Sequence, residues 1–122
     1  KKYSFKKEKV AKQLWMDKKN LLKLHNKGQV LGLHSHSHIN NLETLDYEKQ
    51  YSEFYKNKKF IDNICNQSTI SASYPFGSYN KTTMNVLKSL DVKLSFRSNM
   101  LKKYSNLEIP RIDHQNILNK IN

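Results

Sequence analysis

Cysteine occurs once, at Cys65, so no disulfide can form within the chain and the redox compartment is left open. No run of apolar residues approaches about 18, which excludes a membrane-spanning helix from this sequence. A starting methionine is missing as well. The chain opens on Lys1-Lys2 with no apolar signal-peptide core behind it, as a fragment or a trimmed chain would, and a targeting segment could have been lost. The cellular compartment is therefore unassigned. Acidic residues are few, 10 against 22 lysines and arginines, for a net charge of +12 at pH 7. Such an excess ordinarily raises nucleic acid or an anionic surface as a partner. Here the lysines are spread over most of the chain and no nucleic-acid-reading motif accompanies them, so a nucleic-acid partner is not favoured. With 122 residues the sequence is one domain or part of one. It is short for a complete α/β barrel of about 250 residues.

The chemistry is concentrated in Val30-Leu31-Gly32-Leu33-His34-Ser35-His36-Ser37-His38, where three of the five histidines follow a short apolar run. Two backbone geometries are open. If a helix begins after Leu33, His34 and His38 stand at i and i+4 on one face, with Cβ atoms about 5–6 Å apart, and His36 points away. If a strand runs on, the two-residue period brings His34, His36 and His38 to one face. Either arrangement can ligate a metal ion. Gly32, Ser35, Ser37 and Asn40-Asn41 interrupt strand character, which favours the first. The plainer alternative is a polar surface run.

Periodicity orders the rest. Asp17 caps a helix carrying Leu21, Leu22, Leu24 and His25 and closed by Gly28. Gln29–Leu33 reads as a strand with the histidines at its carboxyl end, where α/β folds place their chemistry. Asp46 caps a long second helix whose stripe is Tyr47, Tyr51, Phe54, Ile61, Ile64 and Cys65, read as core. Thr69–Ser73 is a second strand, followed by the turn Tyr74-Pro75-Phe76-Gly77. Asn80 caps a third helix with Met84, Leu87 and Leu90, and Val92–Phe96 is a third strand. A loop and a short helical tail close the chain. This alternation predicts an α/β fold with parallel strands.

His34-Ser35-His36-Ser37-His38 resembles the His-Ser/Thr-x-x-His motif of the NodB-type polysaccharide deacetylases, carbohydrate esterase family 4. Ser73-Tyr74-Pro75-Phe76-Gly77 is similar to that family's third motif in its Tyr-Pro-Tyr/Phe-Gly form, and the likeness covers about residues 14–113. The resemblance implies that residues 1–122 are a single partial domain, part of a NodB-like distorted (β/α) barrel. It implies that His34 and His38 bind a divalent metal, usually Zn2+, and that the Ser35 hydroxyl steadies the loop. Tyr74, Pro75, Phe76 and Gly77 would line the substrate groove, with the Phe76 N–H as an oxyanion donor. The family's chemistry is metal-assisted hydrolysis of an N-acetyl group, on an amino sugar of a polysaccharide or surface glycan.

Three departures follow. The family's Asp-Asp pair, which supplies the base and a third ligand, is missing between Lys1 and Asp17. Its C-terminal Leu-x-His is absent too, and Ser73 stands where many members carry arginine. Arg111, or Asp113 with His114, is the candidate to serve instead, against the plain reading of Arg111 as a surface ion-pair residue. Two histidines hold zinc less well than three ligands with a carboxylate, so the chain as it stands is expected to be incomplete for catalysis, with weak zinc binding or none. The rival expectation is a non-catalytic carbohydrate-binding or scaffolding relative of the same fold. An Asp-Asp stretch encoded upstream of Lys1 would discriminate the two.

Overall fold

The computed structural model describes residues 14–112, together with Val10 and Ile117. The expectations for Lys1–Lys12, for Asp113 and His114 and for a helical tail therefore lie largely outside the described residues. The chain divides into two compact units, residues 1–31 and 32–122.

In the first unit, α1 spans Lys18–Asn26. The Asp17 carboxylate accepts the Asn20 N–H at 2.8 Å and so supplies the cap that the sequence called for. At the other end Gly28, with φ +82°, donates to His25 O, and Gln29 donates to Leu24 O. This double bond pattern is the glycine-terminated helix stop, and only a residue without a Cβ reaches that φ at no cost.

The second unit holds the sheet. β1 (Ser71–Ser73) and β2 (Leu94–Phe96) run parallel, with Ser71 opposite Leu94 and Ser73 opposite Phe96. Single parallel bridges extend the ladder on both sides, Leu33 to Ala72 and Phe96 to Ile109. The order across the ladder is thus Leu33, β1, β2, Ile109. Parallel pairing matches the expectation, but the strands are shorter than expected. Of Gln29–Leu33, only Leu33 brings its backbone to β1: its N–H donates to Ser71 O and its carbonyl accepts from Ser73 N, each at 2.8 Å. Gly32 lies so near β1 that a Cβ there would stand 3.0 Å from Ser71 Oγ.

The second unit also holds two longer helices. α2 spans Tyr47–Cys65, capped by Asp46 through the Lys49 N–H at 2.8 Å. α3 spans Lys81–Ser89 behind a reciprocal cap, in which Asn80 Oδ1 accepts the Thr83 N–H and Thr83 Oγ1 accepts the Asn80 N–H. The end of α3 repeats the stop seen in α1, with Asp91 at φ +60° in place of glycine. α2 packs on α3. The core comprises Leu33, Leu42, Phe54, Ala72, Tyr74, Val86 and Leu87.

The buried line of α2 differs from the expected stripe. Gln50, Phe54 and Ile61 face inward, while Tyr47 and Tyr55 are exposed and stack with Tyr51 along the outer side, with ring centres 6.1 and 5.7 Å apart. A polar residue can replace an aromatic in the core here because both ends of its amide are paired. Gln50 Nε2 donates to Leu45 O at 2.8 Å, and Gln50 Oε1 accepts the Thr83 hydroxyl at 2.6 Å. Among the described residues, no helix is long and apolar enough to cross a membrane.

Two expected outcomes follow from this packing. Gln50→Ala opens a cavity, removes the shortest hydrogen bond of the Thr83 hydroxyl and takes the Gln50 donor from the Leu45 carbonyl, for an expected loss of about 2–4 kcal/mol, measured by urea unfolding. The second concerns Asp62, which accepts the Thr69 N–H at 2.7 Å and pairs with Lys58 at 3.0 Å. Burial disfavours its charged form, but the Thr69 hydrogen bonds and the Lys58 ammonium outweigh that and hold the carboxyl below its usual 3.8. A carboxyl depressed in the fold stabilises the protein above the unfolded value and loses that contribution as pH falls through the folded value. Asp62→Asn should therefore flatten the acid limb of a thermal-stability profile below about pH 4.

Candidate functional site

Directly after its bridge to β1, the chain turns sharply. No helix forms at the histidines, which corrects the helical geometry expected from the sequence. Ser35 and His38 instead adopt left-handed backbone, at φ 57° and 51°. Two reversals within four residues bring the rings of His34 and His38 together, with centres 4.9 Å apart. Among the described residues, His36 takes part in no ring pair; it is exposed, and its backbone N–H donates to Glu53. The pairing of the outer two histidines is thus the one the spacing suggested, reached by a tight loop instead of a helical turn.

The bridge at Leu33 sets His34 beside Ser73, the last residue of β1. His34 Nδ1 lies 3.0 Å from the Ser73 carbonyl and 2.9 Å from its hydroxyl. A carbonyl only accepts, so this contact favours the tautomer with the proton on Nδ1 and the lone pair on Nε2. This orientation is the usual second contact of a metal-binding histidine. The loop backbone is held from α2, where Asn57 Oδ1 accepts the His34 N–H at 2.9 Å and Glu53 Oε2 accepts those of His36 and Ser37 at 3.1 and 2.9 Å. Neither residue stood out in the sequence. Their signal is their four-residue spacing on one helix face. The Ser35 hydroxyl, expected to steady the loop, is buried and has no hydrogen-bond partner among the described residues.

Tyr74–Gly77 leaves the carboxyl end of β1 next to these rings, and the Phe76 ring centre is 4.8 Å from that of His38. The four residues divide the work of this turn. Tyr74 is buried, stacked on Tyr79 at 4.2 Å, and donates its hydroxyl to Leu107 O at 2.6 Å. Burial pushes that phenol up to about 12, so it stays protonated as an anchor. Pro75 is buried as well. The side chains of both residues belong to the core, and Phe76, 65% exposed, is the part of the turn presented to solvent. Phe76 sits at φ 53°, and its N–H has no acceptor among the described residues. Gly77 follows at φ +71° and packs on Ser98, where a Cβ would collide with the Ser98 hydroxyl.

Arg111 is exposed. Its backbone N–H donates to Asn99 O at 3.2 Å, and its guanidinium forms no ion pair or hydrogen bond among the described residues. The described residues contain no group of three or more metal-ligating side chains. What they contain is a pair. A zinc ion lies roughly 3 Å from the centre of an imidazole that binds it, so two such rings at tetrahedral angles have centres about 5 Å apart. The ring spacing of the His34–His38 pair fits that requirement.

The sequence pattern of the polysaccharide deacetylase family matches residues 5–95, three quarters of the chain, so this chain belongs to that family. Among solved structures, it is 26% identical to the Streptococcus pyogenes deacetylase PplD, solved in complex with acetate, with a TM-score of 0.72 over 88% of this chain and 51% of that one. The BpsB deacetylase domain of Bordetella bronchiseptica shares the fold at 12% identity and a TM-score of 0.70, over 80% of this chain and 48% of that one. BA3943 of Bacillus anthracis, described as a family 4 pseudoenzyme, matches at 19% identity and a TM-score of 0.61, over 70% of this chain and 29% of its own. A search of curated proteins found no match. The chain thus spans about half or less of the length of these structures, as an α/β fragment with parallel strands.

The turn generates one expected outcome. Gly77→Ala meets both the left-handed φ and the Ser98 hydroxyl, and should lower stability by about 1–3 kcal/mol in thermal unfolding.

Proposed function

We propose that this chain contributes part of the active site of a single deacetylase domain, one that hydrolyses N-acetyl groups on an amino sugar of a polysaccharide or surface glycan. The observation that carries this reading is the His34–His38 pair, closed at 4.9 Å beside an exposed turn whose Phe76 N–H is unengaged. In this reading His34 and His38 are two ligands of a divalent ion, with zinc the first choice for neutral imidazoles. When bound, such an ion polarises an amide carbonyl.

The chain's own residues do the rest of what is assigned here. Ser73 favours the His34 tautomer that leaves Nε2 available. The Phe76 N–H, kept outward by Pro75 and Gly77, donates to the oxygen that gains negative charge as the amide carbon becomes tetrahedral. The Phe76 ring, exposed against His38, forms an apolar wall for a sugar or its acetyl methyl. Tyr74 and Pro75 act from behind as the fixed base of that wall. Arg111, the candidate for the absent arginine, receives no step, because only its backbone is engaged.

The second reading is a non-catalytic glycan-binding relative, supported by the match to BA3943, described as a family 4 pseudoenzyme. The two readings part on acetate release. The whole encoded protein, loaded with zinc, should release acetate from N-acetylglucosamine oligomers, and His34→Ala and His38→Ala should each cut the rate by a factor on the order of 100 or more, while His36→Ala changes it little. Zinc uptake through His34 and His38 without acetate release, but with retention on an immobilised acetylated glycan, would support the binding relative. Zinc uptake lost in His36→Ala and kept in His38→Ala would reject the half-site itself.

A further inference from the structure

We propose that Glu53 and Asn57 are positioning residues, which hold the histidine loop from α2 so that the rings of His34 and His38 stay together. The inference rests on the half-site reading above for its functional meaning, and on the loop's hydrogen bonds for its substance.

Three backbone N–H groups of the loop, those of His34, His36 and Ser37, turn toward α2, and two side chains take all three. Asn57 Oδ1 accepts the first at 2.9 Å. Glu53 Oε2 accepts the other two, at 3.1 and 2.9 Å. Successive N–H groups that converge on one oxygen form an anion-binding concavity in the backbone, made possible here by the left-handed turn at Ser35. A charged acceptor strengthens both bonds, which lie on the exposed side of the loop. Glu53 and Asn57 are four residues apart and therefore share a helix face. That face is rigid, because Gln50, Phe54 and Ile61 anchor the same helix in the core.

The loop needs an external hold. Ser35 and His38 are both left-handed without being glycine, and neither backbone conformation is favoured by its own residue. Ser73 fixes the His34 ring from the sheet side, but no hydrogen bond to Ser73 reaches His36 or Ser37. The acceptors on α2 are what keep the chain between the two rings folded back. Glu53 acts through this backbone and not as a ligand, since its Oε2 is committed to two N–H groups.

Amide hydrogen exchange and proton NMR of the full chain, without metal, test this. In the wild type, the amides of His34, His36 and Ser37 should be protected, and the His34 and His38 rings should show a cross-peak. Glu53→Ala should expose His36 and Ser37 and abolish the cross-peak. Asn57→Ala should expose His34, with the β1 amides unchanged. Glu53→Gln keeps an acceptor oxygen and should restore protection. Zinc affinity should follow, weakened about 10–100-fold by Glu53→Ala and largely recovered in Glu53→Gln. Unchanged exchange and an unchanged cross-peak in both alanine variants would overturn the proposal. So would a glutamine variant as impaired as the alanine one, because charge and not N–H acceptance would then be the cause. If Glu53→Ala fails to fold, Asn57→Ala decides by the same His34 amide. A wild type that takes up no zinc while its amides and rings respond as stated would refute the metal reading and leave the positioning role supported.

Discussion

Two hydrogen bonds place everything that this protein offers to chemistry. Leu33 exchanges its N–H and carbonyl with Ser71 and Ser73, and that parallel bridge fixes the height at which the next residue leaves the sheet. His34 therefore emerges level with Ser73, within reach of both its carbonyl and its hydroxyl. The same strand continues through Ser73 into the turn that carries Phe76. One register thus sets two loops side by side, as expected at the carboxyl edge of a parallel sheet. A slip by one residue would reverse the facing of His34 and separate the loops.

Around that register the backbone is held in costly shapes. Ser35, His38 and Phe76 all lie in the left-handed region, where a non-glycine residue ordinarily gives up about 1 kcal/mol or more. Three other left-handed residues, Asn41, Asn66 and Asp91, sit at helix ends, where such a turn is ordinary, whereas these three shape the two loops at one end of the sheet. The surrounding structure offsets the strain with ordinary contacts. These are the Tyr74 hydroxyl on Leu107, the tyrosine stack behind the turn, and the Asn57 and Glu53 acceptors above the loop.

Much of this was legible in the sequence where the signal was local. Asp17, Asp46 and Asn80 were each read as helix caps, and each accepts the expected N–H. The strand directions and the meeting of the histidine and Tyr-Pro-Phe-Gly segments followed from order alone. The pairing of His34 with His38 was read correctly and its backbone was not, because i,i+4 spacing describes a helix and a doubly reversed loop equally well. Gln50 in the core, and Glu53 and Asn57 under the loop, were not legible. Apart from the Leu45 carbonyl beside Gln50, their partners lie 16 to 33 positions away, so that no short window contains both ends of those interactions. Tyr74 and Pro75 belong with them, since a motif shows that a turn exists but not which of its side chains the core claims.

Because α2 grips the core with one face and the histidine loop with another, its length is a fixed dimension of the molecule. A residue inserted between Gln50 and Glu53 would rotate every later position by about 100° and carry the acceptors off the loop while Phe54 left the core. The segment before α2 is tied down as well: Leu42 is buried, Ser78 accepts the Glu43 N–H, Asn80 donates to the Glu43 carbonyl and Gln50 donates to Leu45 O. Through lineages, gaps should therefore be refused from Leu42 through the first three turns of α2.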